Sequence, residues 1–277
     1  MTSSLRVVCL QVQPRGAQSR EEHLDEVSQQ VRSASDADLI VLPELWNVGY
    51  FAFDEYEDAA EPADGPTAER LSMLAREVGV VLHCGSLVER AGPVLHNTSL
   101  VFGRDGATIA RYRKVHVFGY RSRERELVTA GDALTTFPVA GVAAGMAICY
   151  DLRFPELFRA GVDDVSLFVV PATWPAARVG HWQALLRARA IENQAFVVGC
   201  NAAGRNGGVD LGGMSGVFDP WGDVCGLAGP EPGLLDVTID LSAVGRSRHD
   251  FPVLRDRVLP RTTLAGALAP TTSGVPS

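Results

Sequence analysis

The chain reads as a mixed α/β domain, and three observations predict it. Short β-branched apolar runs alternate with stretches of helical period along most of the sequence. Asn97–Phe102 and Thr108–Tyr112 flank Arg104-Asp105-Gly106, a hairpin signal, so the strands cannot all be parallel. The 277 residues are 46% hydrophobic, enough for one large core or, by length alone, two smaller ones. No interior stretch reads as a linker, which favours one domain over residues 1–260.

The elements follow in order. Leu5–Val12 is a first strand; Leu24, Val27 and Val31 recur at helical spacing; Leu39–Leu42 is a second strand. After Gly65-Pro66, the residues Leu71, Leu74, Ala75 and Val78 fall on one helix face, and Val80–Gly85 is again a strand. Val142–Ile148 reads as a buried strand and Pro155 to Arg159 as the start of a helix beyond a tight turn. Later strands are Val165–Val170, Phe196–Cys200 and Leu234–Ile239. The segment 261–277, rich in Thr, Ala, Gly and Pro and without period, is expected to be a mobile tail.

Charge and cysteine usage narrow the function classes. A net charge of −8 disfavours nucleic acid or an anionic membrane as partner, because both would be repelled. No run of about 18 apolar residues is present, and the N-terminus lacks the apolar core of a secretion signal. The five cysteines are widely spaced, with no Cys-x-x-Cys pair, so reduced thiols in a cytoplasmic protein are expected. His83, His96 and His181 have no zinc-like spacing, and Gly204–Gly216 lacks the residues of a phosphate cradle.

Three segments carry chemistry. Leu39–Leu42 is followed by Pro43-Glu44, which puts a carboxylate where a strand leaves the core. Ala110–Phe118 alternates around Lys114, and Cys149 ends an apolar strand. A thiol at a strand-to-helix turn meets substrate while following backbone N–H groups face a developing oxyanion, an arrangement suited to acyl transfer. Each residue also has a plain reading: Glu44 solvated, Lys114 an exposed strand lysine, Cys149 part of the core.

Pro43-Glu44, Tyr112-Arg113-Lys114-Val115-His116-Val117-Phe118 and Cys149-Tyr150-Asp151-Leu152-Arg153-Phe154-Pro155-Glu156 resemble the three signature segments of the nitrilase superfamily, the carbon–nitrogen hydrolases. They occur in the family's order, 70 and 35 residues apart. His181-Trp182 through Gln194, and Phe218-Asp219-Pro220-Trp221-Gly222, are similar to later segments of the amidase branch. The resemblance implies a nitrilase-like four-layer α-β-β-α sandwich with mixed sheets, pairing into a homodimer or higher homo-oligomer. It implies Glu44 as general base, Lys114 as oxyanion stabiliser, Cys149 as nucleophile and the Tyr150 N–H as a further oxyanion donor. The family's second glutamate falls on Glu124, seven residues before Gly131, with Glu126 as the alternative. Arg153, Trp174 and Phe118 are candidate substrate contacts; the preferred reading of Arg153 itself is a brace through Asp151 or Glu156. Gly212-Gly213-Met214-Ser215 departs from the branch's Gly-His-Ser pattern.

The chemistry requires those residue types. A free thiol is only a few per cent thiolate at neutral pH, so a base or cation must activate it, and an amide oxygen needs donors already in place. The expected activity is hydrolysis of the terminal amide of a small carboxylic acid, with no cofactor and no metal. Nitrile or N-carbamoyl hydrolysis, or a catalytically silent scaffold, are the alternatives.

Overall fold

The computed structural model describes residues 4–258, so the expected tail at 261–277 lies outside the described residues. The first sheet opens with β1 (Ser4–Gln11), β2 (Leu39–Val41), β3 (Val81–His83), β4 (Leu87–Ala91), β5 (Val94–Phe102) and β6 (Thr108–Arg113). A second is built from β7 (Thr136–Val139), β8 (Val142–Met146), β9 (Val165–Ala172) and β10 (Phe196–Asn201). After a hairpin of β11 (Ala203–Asn206) and β12 (Val209–Gly212), the second sheet is completed by β13 (Gly216–Phe218) and β14 (Val224–Leu227). The last strand, β15 (Gly233–Asp240), returns to the first sheet and pairs antiparallel with β1, Ser4 opposite Asp240 and Gln11 opposite Gly233.

Both sheets are mixed. The first runs β15-β1-β2-β3-β5-β4 with β6 also on β5, and the second runs β14-β13-β10-β9-β8-β7. Parallel pairing is confined to β1–β2–β3 in one and β8–β9–β10 in the other, which places several strand ends side by side. As expected from the hairpin signal, β5 and β6 are antiparallel.

Strand alternation distributes the side chains between two cores. Val7, Cys9, Leu39 and Val41 share one core with Phe168, Val169, Val197 and Val198 of the second sheet. Val8, Leu10, Ile40 and Leu42 face the other way, onto α1 (Arg20–Ser33) and α3 (Pro66–Val78), through Val27, Val31, Leu71 and Leu74. On the second sheet, Trp182, Leu186 and Ala190 come from α6 (Val179–Asn193), after the short helices α2 (Tyr56–Ala59), α4 (Glu124–Leu127) and α5 (Pro155–Ala160). A last helix, α7 (Ser242–Asp250), follows β15. The packing thus runs helix, sheet, sheet, helix.

Local signals explain the helix limits. Ser19 Oγ accepts from the Glu22 N–H while the Glu22 carboxylate accepts from the Ser19 N–H, a reciprocal cap that starts α1. Pro66 opens α3, and Gly79 ends it in the left-handed region at φ 75°. Several expected strands are shorter than their sequence pattern. β2 stops at Val41, just before Pro43, which has no N–H to give, Val80–Gly85 is strand only over Val81–His83, and Val142–Ile148 only to Met146; the strand expected at Thr108–Tyr112 runs on to Arg113.

Candidate active site

Four strand ends converge. Glu44 follows β2, Lys114 follows β6, Cys149 follows β8 and Thr173 follows β9, so the cluster draws on both sheets. The turn carrying Glu44 is fixed from one side by Ser86, whose carbonyl and hydroxyl both accept from the Leu45 N–H at 3.0 and 3.1 Å. Gly85, at φ 71°, lies so close that a Cβ there would sit 1.8 Å from the Pro43 carbonyl oxygen. Only glycine fits that approach. From the second sheet, the Thr173 hydroxyl donates to the Glu44 carbonyl at 2.6 Å and its N–H to Glu44 Oε2 at 3.0 Å.

Lys114 is neither exposed nor in a strand. Its side chain is 1% exposed, and its ammonium donates to Glu44 Oε1 at 2.8 Å and to Glu124 Oε1 and Oε2 at 2.9 and 3.1 Å. Burial alone would push this ammonium toward neutrality, but the facing Glu124 and Glu44 carboxylates reverse that and hold its pKa well above the usual lysine range. Glu44 and Glu124 are fully buried. Glu124 Oε2 also accepts from the Tyr50 hydroxyl at 3.1 Å and the Phe118 N–H at 2.8 Å. Glu126, the alternative, is 73% exposed and faces Arg123 at 3.9 Å, away from the cluster.

Cys149 sits at φ 46° at the head of a five-residue 3-10 turn, Cys149–Arg153, that leads into α5. Cys9, Cys84 and Cys200 are buried and Cys225 is on the surface, whereas Cys149 is partly open to a cleft. Burial first, and the Glu44 charge second, push its thiol well above the usual cysteine pKa. The resting group is therefore S–H, and Glu44 stands within hydrogen-bonding reach of it.

Asp151 holds this turn. Buried completely, it accepts from the Tyr112 hydroxyl at 2.6 Å, the Ile148 N–H at 2.9 Å, and the His116 N–H and Nδ1 at 2.8 Å each. His116 in turn stacks flat on Phe154, centroids 3.8 Å apart. Neither brace expected of Arg153 is formed: the Asp151 oxygens are taken by these donors, and no ion pair joins Arg153 to Glu156 among the described residues. Arg153 instead lies over the Trp174 ring at 4.7 Å and faces the cleft.

The cleft holds about 360 Å³ of atom-free space, counting its open mouth. Tyr50, Lys114, Phe118, Cys149, Tyr150 and Trp174 line it, with Arg153 and Arg178 also on its wall. Neither arginine pairs with a carboxylate among the described residues. Burial, and then repulsion from Arg178, hold the Arg153 guanidinium below its ordinary pKa. Phe118 and Tyr150 meet edge to face at 4.8 Å and give the cleft an aromatic wall. All the expected site residues except Glu126 thus lie in or directly behind one cleft. Sequence signals did not mark Tyr50, Thr173 or Asn97; the last donates from Nδ2 to both Glu44 Oε1 and Glu124 Oε1, at 2.9 and 3.0 Å. Among the described residues, no group of three or more His, Cys, Asp or Glu side chains is placed to hold a metal ion.

Fold and site together define a class: a two-sheet α/β protein in which a carboxylate, an ammonium and a thiol converge at strand ends. The chain belongs to the carbon–nitrogen hydrolase family, whose profile matches residues 6–249. It is 38% identical over 262 residues to a 2-oxoglutaramate amidase of Paenarthrobacter nicotinovorans, covering 91% of this chain and 89% of that one. It superposes with a TM-score of 0.86, at 29% identity, on a family member from Xanthomonas campestris solved with an arsenic adduct in its active site, covering 93% of this chain and 98% of that one. With a TM-score of 0.78, at 27% identity, it also matches a mutant amidase of Nesterenkonia sp., covering 91% of this chain and 96% of that one. That mutant carries the acetamide moiety of fluoroacetamide added covalently at the active-site cysteine.

Proposed function

We propose that this chain hydrolyses the terminal amide of a small carboxylic acid, converting substrates such as 2-oxoglutaramate to 2-oxoglutarate and ammonia. One observation carries the reading: the Cys149 thiol faces the buried Glu44–Lys114–Glu124 cluster in a cleft that also holds two arginines without carboxylate partners. The names of the relatives support it.

The steps follow from the geometry. As the substrate amide enters, Glu44 takes the thiol proton while sulfur attacks the carbonyl carbon. Lys114 gives one proton to Glu44 and shares a second between the two Glu124 oxygens, so the third serves the developing oxyanion, joined by the Tyr150 N–H. Collapse breaks the C–N bond, and protonated Glu44 passes its proton to the departing nitrogen, which leaves as ammonia. Water then enters, loses a proton to Glu44 and attacks the thioester carbon. The C–S bond breaks, the acid departs and the thiol regains its proton from Glu44. Glu124 holds the Lys114 ammonium in place and takes no proton.

Specificity rests on charge in a narrow cleft. In a protein of net charge −8, two unpaired cations beside the nucleophile favour an anionic substrate. Arg153, kept in place by Trp174, meets the carboxylate of the substrate, while Phe118 and Trp174 flank its carbon chain. Succinamate and butyramide differ mainly in that carboxylate. A charge-assisted hydrogen bond is worth about 1.5–3 kcal/mol, so kcat/KM should favour succinamate by roughly 10- to 150-fold. Equal values in an ammonia-release assay would overturn the ω-amide reading.

The protein is further read as a cytoplasmic homodimer. Five free cysteines fit a reducing compartment, and among the described residues no helix is long and apolar enough to cross a membrane. Trp221 and Phe251, stacked on each other and about half exposed, lie with exposed Ile191 on one face suited to a second copy. Sedimentation of wild type and a Trp221→Glu variant tests this, and a monomeric wild type would overturn it.

A further inference from the structure

We propose that Asn97 is a positioning residue that holds the carboxylates of both glutamates in place and Lys114 centred between them. The proposal rests on the reading of Glu44 as the base, and nothing in the family resemblance pointed to this position. Asn97 lies in β5, 1% exposed, with its carbonyl accepting from the Lys114 N–H at 2.9 Å. One backbone group therefore fixes where Lys114 leaves the sheet. The side chain then reaches the same two carboxylates that the Lys114 ammonium reaches, Glu44 Oε1 and Glu124 Oε1.

The proton count makes the arrangement specific. An amide nitrogen has two hydrogens, and each is directed to one glutamate. The cluster holds two carboxylates against one ammonium, a formal charge of −1 in a buried place. Like charges so close repel, and a neutral donor shared by both carboxylates offsets that repulsion without adding a cation that would compete with Lys114. The reverse amide orientation would point oxygen at two carboxylate oxygens, so the nitrogen must face them.

A further sign is the other end of the amide. Asn97 Oδ1 is buried with no hydrogen-bond partner among the described residues. A buried acceptor left unpaired is unfavourable, and such groups tend to mark positions held for function. Here the donor end takes precedence.

The test compares Asn97→Leu, similar in volume without donors, with Asn97→Asp, which turns the donor into an acceptor. For Asn97→Leu, kcat with succinamate should fall roughly 10- to 100-fold with KM little changed, since Asn97 does not line the cleft. Asn97→Asp should be the less active of the two. The rate of Cys149 alkylation by iodoacetamide should fall in parallel and needs no amide turnover, so it remains informative if succinamate is not a substrate. If either substitution prevents folding, Asn97→Ser, smaller and with a single donor, is measured and should show an intermediate loss. A folded variant with kcat and alkylation rate equal to wild type, or one in which KM rises while kcat holds, would overturn the proposal.

Discussion

Replacing Asp151 by asparagine should weaken the whole protein and slow the reaction, although the change alters only one atom and the charge. The carboxylate accepts four hydrogen bonds, two at each oxygen: the His116 N–H and Nδ1 at one, the Tyr112 hydroxyl and the Ile148 N–H at the other. An amide NH2 placed at either oxygen position meets a backbone N–H that cannot turn away. At least one buried N–H is then unpaired, at about 1–3 kcal/mol, and the remaining bonds lose their charge assistance. A total near 2–4 kcal/mol follows, which for a domain of this size lowers Tm by roughly 5–15 °C. Because the same carboxylate holds the turn where Cys149 stands at φ 46°, kcat should fall by about 10- to 100-fold. Calorimetry and ammonia-release kinetics on the purified variant measure the two effects. A melting temperature within about 1 °C of wild type, with unchanged kcat, would refute the account of the turn.

The remaining predictions concern the reacting groups and the core. Cys149→Ala should abolish ammonia release while circular dichroism stays native, and iodoacetamide should label Cys149 before Cys225, because Glu44 stands ready to take the Cys149 thiol proton as sulfur attacks; more than a trace of turnover would exclude a thioester route. Lys114→Ala should reduce kcat on the order of 100- to 1000-fold, and Lys114→Arg should not restore it because the wider guanidinium does not fit between Glu44 and Glu124. Glu124→Ala should lose most activity and Glu126→Ala little; the reverse order would move the second glutamate. His83, fully buried, has its pKa pushed down to about 3 by burial, below an unfolded value near 6.5. Between those values the unfolded chain binds a proton the native state does not, so its stabilisation is complete above pH 6.5 and lost as pH falls toward 3. Urea titrations of His83→Leu should show a shallower decline over that window, by up to about 1.4 kcal/mol per pH unit, and an identical slope would exclude His83 as the source.

Much of this frame is legible from pattern alone. Strands of uniform apolar character such as Val165–Val170, and helices with one apolar face such as Pro66–Val78, are set by local periodicity. The strands without such a signal have identifiable physics. β7 carries Pro138 and is tolerated because it lies at a sheet edge. β4 contains Glu89 and Arg90, and Glu89 is buried only because Arg113 and Thr98 satisfy its oxygens. In the site, Glu44 and Cys149 stand out because each ends an apolar run, and Lys114 because it is the ammonium in the middle of an alternating segment. Asn97 does not, since its partners are 53 and 27 residues away and nothing local distinguishes it from an ordinary strand residue. The brace expected of Arg153 fails for a related reason: nearness in sequence to Asp151 and Glu156 suggests a pair, but the buried Asp151 is taken by other donors while Arg153 lines the cleft.

The reacting groups are divided between the two sheets, Glu44 and Lys114 on one and Cys149 and Thr173 on the other. Neither half of the chain holds a usable fraction of the site, and the hydrogen bonds from Thr173 to Glu44 span the seam between them. Turnover is thus a report on tertiary assembly: a molecule with every strand formed but its sheets slipped by one residue would be silent.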